Sequence, residues 1–202
     1  MKLLHIDAGI TGPNSVSRQL SAAIVEALAK ADPSLEIVTR DLDADPIPHL
    51  DSSSFGPRAV EGADDPAARS AAVLQEFLDA DVVVIGAPMY NLGIPSQLKA
   101  WFDRVLIAGK TFRYTAEGPL GLAGGKRIIV ASARGGLYAP GTAQAGADFH
   151  EPYLRMLFRF IGIDEIAIVR AEGVNISPEL RQAAVSEALA LAPAVAVTAL
   201  AA

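Results

Sequence analysis

The sequence predicts a single α/β domain of three layers, in which a five-stranded parallel sheet is covered by helices on both faces. Three observations lead there. Short apolar runs alternate with amphipathic helical patterns along the whole chain. The run at residues 82–85 is continuously apolar and β-branched, as a strand buried on both faces requires, and 127–131 reads as a further buried strand. Each connecting segment is short or rich in Gly, Pro and polar residues, and no internal repeat or linker interrupts the order.

The elements follow in sequence. Residues 3–6 form an apolar run that ends at Asp7-Ala8-Gly9, and Val16, Leu20, Ile24 and Leu28 then share one helix face. Asp32-Pro33-Ser34 breaks the chain before a second strand at 35–39. Residues 41–65 are too polar and too broken by Pro and Gly for a regular element, and read as a surface excursion with His49 and Phe55 as its aromatic residues. A helix at 66–78 presents Ala71, Leu74, Phe77 and Leu78, and the strand at 82–85 follows at the sheet centre. The next helix, 95–108, carries Leu98, Trp101, Phe102 and Val105 and stops at Gly109. A Gly-rich turn region at 118–125 precedes the strand at 127–131 and a loop at 134–148. In the helix at 152–161, Leu154, Leu157, Phe158 and Ile161 form the core stripe, and Met156 with Phe160 forms a second apolar side. A strand at 166–170 and a helix from Pro178 complete five strands and five helices.

Composition narrows the function. With 202 residues, 51% of them hydrophobic, one core of ordinary size is expected, burying roughly 70% of the unfolded surface. Seventeen basic against 23 acidic residues give a net charge of −6, which argues against nucleic-acid and polybasic membrane binding. The absence of cysteine excludes disulfides, thiolate metal sites, iron–sulfur clusters and thiol nucleophiles. His5, His49 and His150 are scattered, so no metal site is expected. Met1-Lys2-Leu3-Leu4 runs directly into charged residues, without a leader-like apolar stretch. The uncharged tail at 188–202 is shorter than the ~20 residues a spanning helix needs and contains Pro193. A soluble, cytoplasmic protein is the expectation, with the tail fraying, docking or joining a partner.

In a parallel sheet of this kind, ligands bind outside the C-terminal strand ends. The loop after the first strand, Asp7 to Arg18, empties into a helix N-terminus, whose free N–H groups suit an anion, with Thr11, Ser15 and Ser17 as hydroxyls. An N-cap role for Asn14 or Ser15 accounts for the same residues. Gly9 and Gly12 do not form a dinucleotide fingerprint. The loop after the third strand, Gly86-Ala87-Pro88-Met89-Tyr90-Asn91-Leu92-Gly93, places an aromatic and an amide at a strand tip, suited to a flat heteroaromatic ligand. Ser132-Ala133-Arg134-Gly135-Gly136, after the fourth, lets backbone approach a ligand closely.

Ala87-Pro88-Met89-Tyr90-Asn91, with Gln97-Leu98-Lys99 and Phe102-Asp103, resembles the FMN-dependent NAD(P)H azoreductases and quinone reductases. Thr111-Phe112-Arg113-Tyr114-Thr115, Gly118-Pro119, Arg134-Gly135-Gly136, Glu151-Pro152-Tyr153-Leu154, Phe160-Ile161-Gly162-Ile163 and Ala171-Glu172-Gly173 continue the resemblance in order over nearly the whole chain. The resemblance implies a flavodoxin-like fold with sheet order 2-1-3-4-5 and a homodimer carrying one FMN per subunit near the interface. It assigns the phosphate to Gly9, Ser15, Val16 and Ser17. Met89, Tyr90, Asn91 and Leu92 are assigned to the isoalloxazine ring, and Ala133, Arg134, Gly135 and Gly136 to its polar edge. Tyr114, Phe160 and Tyr138 are assigned to the substrate pocket. Gly9 and Ala133 stand where the family commonly carries Ser, Leu92 where an aromatic is common, and Tyr138 where some members have His.

The implied activity is two-electron reduction of quinones or azo compounds by NADH or NADPH, in a ping-pong cycle through flavin N5 with no obligatory protein base. No residue is assignable to a nicotinamide 2′-phosphate. A short-chain dehydrogenase is disfavoured because no tyrosine is followed four residues later by lysine, and a serine hydrolase because no G-x-S-x-G occurs. A flavodoxin-like electron carrier or FMN-binding regulator is the non-enzymatic alternative.

Overall fold

The computed structural model describes residues 1–52 and 66–201. The C-terminal part of the expected excursion, including Phe55, lies outside them. The chain runs β1 (Lys2–Asp7), α1 (Val16–Ala31), β2 (Glu36–Asp41), α2 (Pro66–Asp79), β3 (Val82–Pro88), α3 (Ser96–Val105), β4 (Phe112–Thr115), β5 (Gly118–Gly121), β6 (Arg127–Ala133), α4 (Glu151–Phe160), β7 (Ile166–Ala171) and α5 (Pro178–Ala201). Strands β2-β1-β3-β6-β7 form one parallel sheet in that order, which is the expected 2-1-3-4-5 once the β4–β5 hairpin is set aside.

The sheet splits the core by strand periodicity. Leu4, Ile6, Val83, Ile85, Ile128 and Val130 face α2, α3 and α4, where Phe77, Trp101, Phe102 and Phe158 stack edge to face in sequence at 5.8, 4.9 and 5.3 Å. Leu3, Val82, Val84, Ile129 and Val169 face Leu20, Ile24 and Leu28 of α1 and Ala188, Ala192, Ala196 and Ala199 of α5.

Several expectations are corrected. On α2, Val73 and Phe77 are buried and Ala71 is exposed, so its inward stripe is rotated from the expected one. Helix α3 ends at Val105, short of Gly109, because the Thr111 hydroxyl donates to the Val105 carbonyl at 2.7 Å and accepts from the Ile107 amide at 3.1 Å. The region expected as glycine-rich turn contains β5, paired antiparallel with β4. Gly121 lets this hairpin sit against the end of α4, since a Cβ there would lie 2.1 Å from the Gly162 amide nitrogen. Phe160 packs on Phe112 at 4.7 Å, while Met156 is exposed, so the two form no joint surface.

Pro193 does not interrupt α5, which runs 24 residues. By length and composition this helix meets the criterion for a membrane span that the shorter run did not. Its small-residue face docks on α1 instead. Pro193 lies on the outer, exposed side, where water can satisfy the carbonyl its missing N–H leaves free.

Candidate functional site

Parallel strands deliver their following loops to one edge, and four loops meet there. The β1 loop closes with Ala8 N–H donating to Gly86 at 3.0 Å. Met89 N–H donates to Ala133 at 2.8 Å, joining the β3 and β6 loops. The Tyr90 hydroxyl accepts from the Ile10 amide at 3.1 Å, joining β3 to β1. The fourth loop, after β7, donates Asn175 N–H to Gly135 and Gly173 N–H to Gly136, at 3.1 and 2.9 Å.

Together they enclose a crevice of about 240 Å³. Its walls are Thr11, Asn14, Ser15 and Val16 from the first loop, Pro88, Met89 and Tyr90 from the second, Ala133 and Gly135 from the third, and Val174 and Asn175 from the fourth. Arg181 of α5 completes it, and among the described residues no carboxylate lines it. Four amides bordering these walls, those of Val16, Ser17, Gly135 and Gly136, have no hydrogen-bond partner among the described residues. The first turn of α1 also carries no acidic residue. Unpaired donors, a positive helix end and no competing carboxylate suit an anionic ligand, so the donor set fits the phosphate and polar ring edge of a flavin.

A second cavity of about 890 Å³ shares Met89 and Tyr90 and extends past Ile10, Asn91, Ile94, Gln97, Phe149 and Tyr153. Its rim includes a tight turn in which Tyr90 and Gly93 exchange both backbone hydrogen bonds, at 3.0 and 3.1 Å. Asn91 and Leu92 sit at its tip with φ of 48° and 71°. Two successive positive φ values define a type I′ turn, usually Asn-Gly, so Leu92 adopts a backbone conformation costly for a side chain with a Cβ.

The structure distributes the sequence-derived residues unevenly. Val16, Met89, Tyr90, Ala133 and Gly135 stand on the crevice walls, and Asn91 on the larger cavity. Ser15 lines the crevice but turns its hydroxyl inward, where it accepts from the Arg18 amide at 3.4 Å as the cap of α1. The same hydroxyl meets that of the fully buried Ser17 at 3.1 Å. N-cap and cradle are therefore roles of one segment. Gly9 makes room for this arrangement, since a Cβ there would lie 2.3 Å from Ser15 Oγ. Leu92 is exposed at the turn tip. Tyr138 is half-buried, anchored by its amide on Glu172 at 2.8 Å beside Gly136. Tyr114 is 74% exposed on the hairpin, and its ring meets Phe112, which also holds Phe160. Tyr114, Phe160 and Tyr138 line neither cavity.

Arg134 is placed where sequence reasoning did not expect it. Its side chain is fully buried, paired with Asp148 at 3.1 Å, Glu172 at 3.0 Å and Glu151, so backbone alone represents this residue near the crevice. Arg170 reaches Glu151 from β7 at 2.8 and 2.5 Å. Burial pushes the Glu151 carboxyl up, but hydrogen bonds from Arg170 and the charge of Arg134 outweigh it and hold it at about 2. The neighbouring His150 ring is buried, and that burial with the Arg134 charge lowers it to about 4, so it is neutral at pH 7. Under the first loop, Arg18 grips both oxygens of Asp41 at 2.6 Å and donates to the Gly9 carbonyl at 2.7 Å. Those Arg18 hydrogen bonds lower Asp41 to about 2. Sequence reasoning missed Val174, Asn175 and Arg181. The signal for the first two was available, because the strand-end rule applies to the last strand as to the others.

Comparison with known proteins gives the family of the chain. The chain is 56% identical over 190 residues to an FMN-dependent NADH:quinone oxidoreductase 1 of Xanthomonas axonopodis pv. citri, covering 94% of each chain. The solved azoreductase of Bacillus anthracis superposes with a TM-score of 0.86 at 32% identity, covering 97% of this chain and 98% of that one. An FMN-dependent NADH-azoreductase from the same species, solved in complex with FMN, gives 0.84 at 29% identity, covering 97% of this chain and 100% of that one. Residues 1–194 match the family described as flavodoxin-like fold, and with the β2-β1-β3-β6-β7 sheet and its four-loop crevice the chain belongs to that family.

Proposed function

We propose that this chain is an FMN-dependent NADH:quinone oxidoreductase with azoreductase activity, a single catalytic domain that works as a homodimer. The observation that carries this reading is the set of four unpaired amides, from Val16, Ser17, Gly135 and Gly136, around a carboxylate-free crevice. Bound FMN would supply the hydride acceptor and donor that this cysteine-free chain lacks. The Val16 and Ser17 amides and the α1 dipole would hold its phosphate. Met89 to Leu92 would bear on the ring, and the Gly135 and Gly136 amides would donate to its polar edge, stabilising negative charge as it develops. No buried side chain needs to move a proton on this scheme. NADH, or NADPH, and the oxidant would use the site in alternating half-reactions.

The rim supports the dimer. Ile10, Leu92, Leu137 and Phe149 are exposed on the loops that bound the two cavities, apolar surface that a second copy of the chain would cover. Exposed Tyr114 suits a role in trans, closing the partner subunit's pocket with an aromatic wall. The reductant is an intracellular metabolite, which supports the cytoplasm as the place of action.

The test is direct. Purified protein should be yellow or take up FMN, oxidise NADH with menadione and bleach methyl red, and elute from gel filtration as a dimer. A colourless protein that neither binds added FMN nor oxidises NADH would sink the proposal.

A further inference from the structure

We propose that Arg181, on the first turns of α5, supplies the unneutralised positive charge at the phosphate crevice and so makes the last helix part of the cofactor site. This rests on the flavin reading above. Among the described residues three arginines approach the loops that build the crevice, and two are already neutralised. Arg18 is bound at both ends of its guanidinium by Asp41, and Arg134 is surrounded by Asp148, Glu151 and Glu172. Among the described residues Arg181 has no carboxylate within ion-pair distance.

Its contacts hold it in place without cancelling its charge. One guanidinium nitrogen donates to the Asn14 carbonyl at 3.0 Å and another to the Val174 carbonyl at 3.5 Å. Asn14 immediately precedes the α1 cap, and Val174 belongs to the β7 loop, so the planar group spans two walls of the crevice it lines. A guanidinium has five N–H groups, and two carbonyls leave donors free for an anion. The chain carries a net charge of −6, which opposes the approach of a phosphate dianion, so one local cation at the mouth has a large relative effect. Arg181 and Asn14 lie 167 residues apart, which is why the pairing has no sequence signature.

The test compares two ligands that differ only in the phosphate. Flavin-stripped wild type, Arg181→Gln and Arg181→Lys are titrated with FMN and with riboflavin by flavin fluorescence. One charge-assisted hydrogen bond at a partly exposed site corresponds to about tenfold in Kd. Arg181→Gln is expected to weaken FMN about tenfold and leave riboflavin within twofold, and Arg181→Lys to recover part of the FMN preference. An FMN Kd unchanged in Arg181→Gln, with wild type still preferring FMN to riboflavin, overturns the role of Arg181 and leaves the flavin site standing. Equal weakening of both ligands also overturns it, because Arg181 would then only brace the loops. Wild type that binds neither flavin overturns the underlying reading together with this one.

Discussion

The Tyr90 hydroxyl accepts a hydrogen bond from the Ile10 amide at 3.1 Å, and this contact fastens the loop after β3 to the loop after β1. Tyr90 lies on the wall of both cavities, and its oxygen ties together two of the loops that border them. Tyr90→Phe keeps the wall and removes the tie. A single hydrogen bond of this kind contributes about 1 kcal/mol, so FMN should bind about fivefold more weakly, as read by fluorescence titration. Unchanged affinity would show that the loops hold their spacing without it.

Gly9 and Ser15 compete for one space. Adding a methyl at Gly9 places a carbon where Ser15 Oγ stands, at 2.3 Å, and should expel that hydroxyl from its capping bond to Arg18. Loss of an N-cap costs about 1 kcal/mol. Gly9→Ala should therefore lower stability by at least that amount in urea titrations, and by clearly less in a Ser15→Ala background. Equal costs in both backgrounds would mean that the two positions are independent.

Leu92 carries a conformational cost that glycine would not. Leu92→Gly removes the left-handed penalty of about 1–2 kcal/mol and adds the entropy cost of glycine, about 0.5–1 kcal/mol. The net expectation is a Tm higher by about 2 °C for a chain of this length, followed by calorimetry. A lower Tm would show that the exposed leucine makes a contact stronger than its strain, as across a dimer interface.

Acid stability should report the buried ion cluster. Glu151 is held at about 2, below its ordinary 4.5, so it contributes stability that is complete above pH 4.5 and is lost as pH falls toward 2. His150 is lowered from 6.5 to about 4, so the unfolded chain binds its proton first and stability falls as pH drops from 6.5 to 4. Glu151→Gln takes the ion-pair partner from Arg170 and leaves Arg134 with Asp148 and Glu172, and should cost about 2 kcal/mol at pH 7, while flattening the profile below pH 4.5. His150→Leu should flatten the segment between 6.5 and 4. Thermal melts across pH 3–8 check both, and profiles parallel to wild type would remove these residues from the account.

The alternation of strands and helices was legible because burial on one or two faces imposes periods of two or 3.6 on the residues that are buried, as Val82 to Ile85 and Leu20, Ile24 and Leu28 show. The β4–β5 hairpin was not, because its pairing depends on Gly121 meeting the Gly162 backbone rather than on any apolar pattern of its own. Three of the four crevice loops were legible from their position after strands. Their residue types did not say which polar groups face the ligand.

That division has a physical basis. Local composition and hydrophobic period determined the α/β class and the sheet-edge location of the site, since these depend on neighbours within a few residues, and the sequence holds no cysteine thiol. Tertiary structure decided the charges. Arg134 pairs with Glu172, 38 residues away, and is spent on the fold; Arg181 reaches Asn14, 167 residues away, and stays positive at the crevice. An arginine's role depends on which carboxylates surround it once the chain is folded, and contacts at such separation leave no periodic trace in the order of residues.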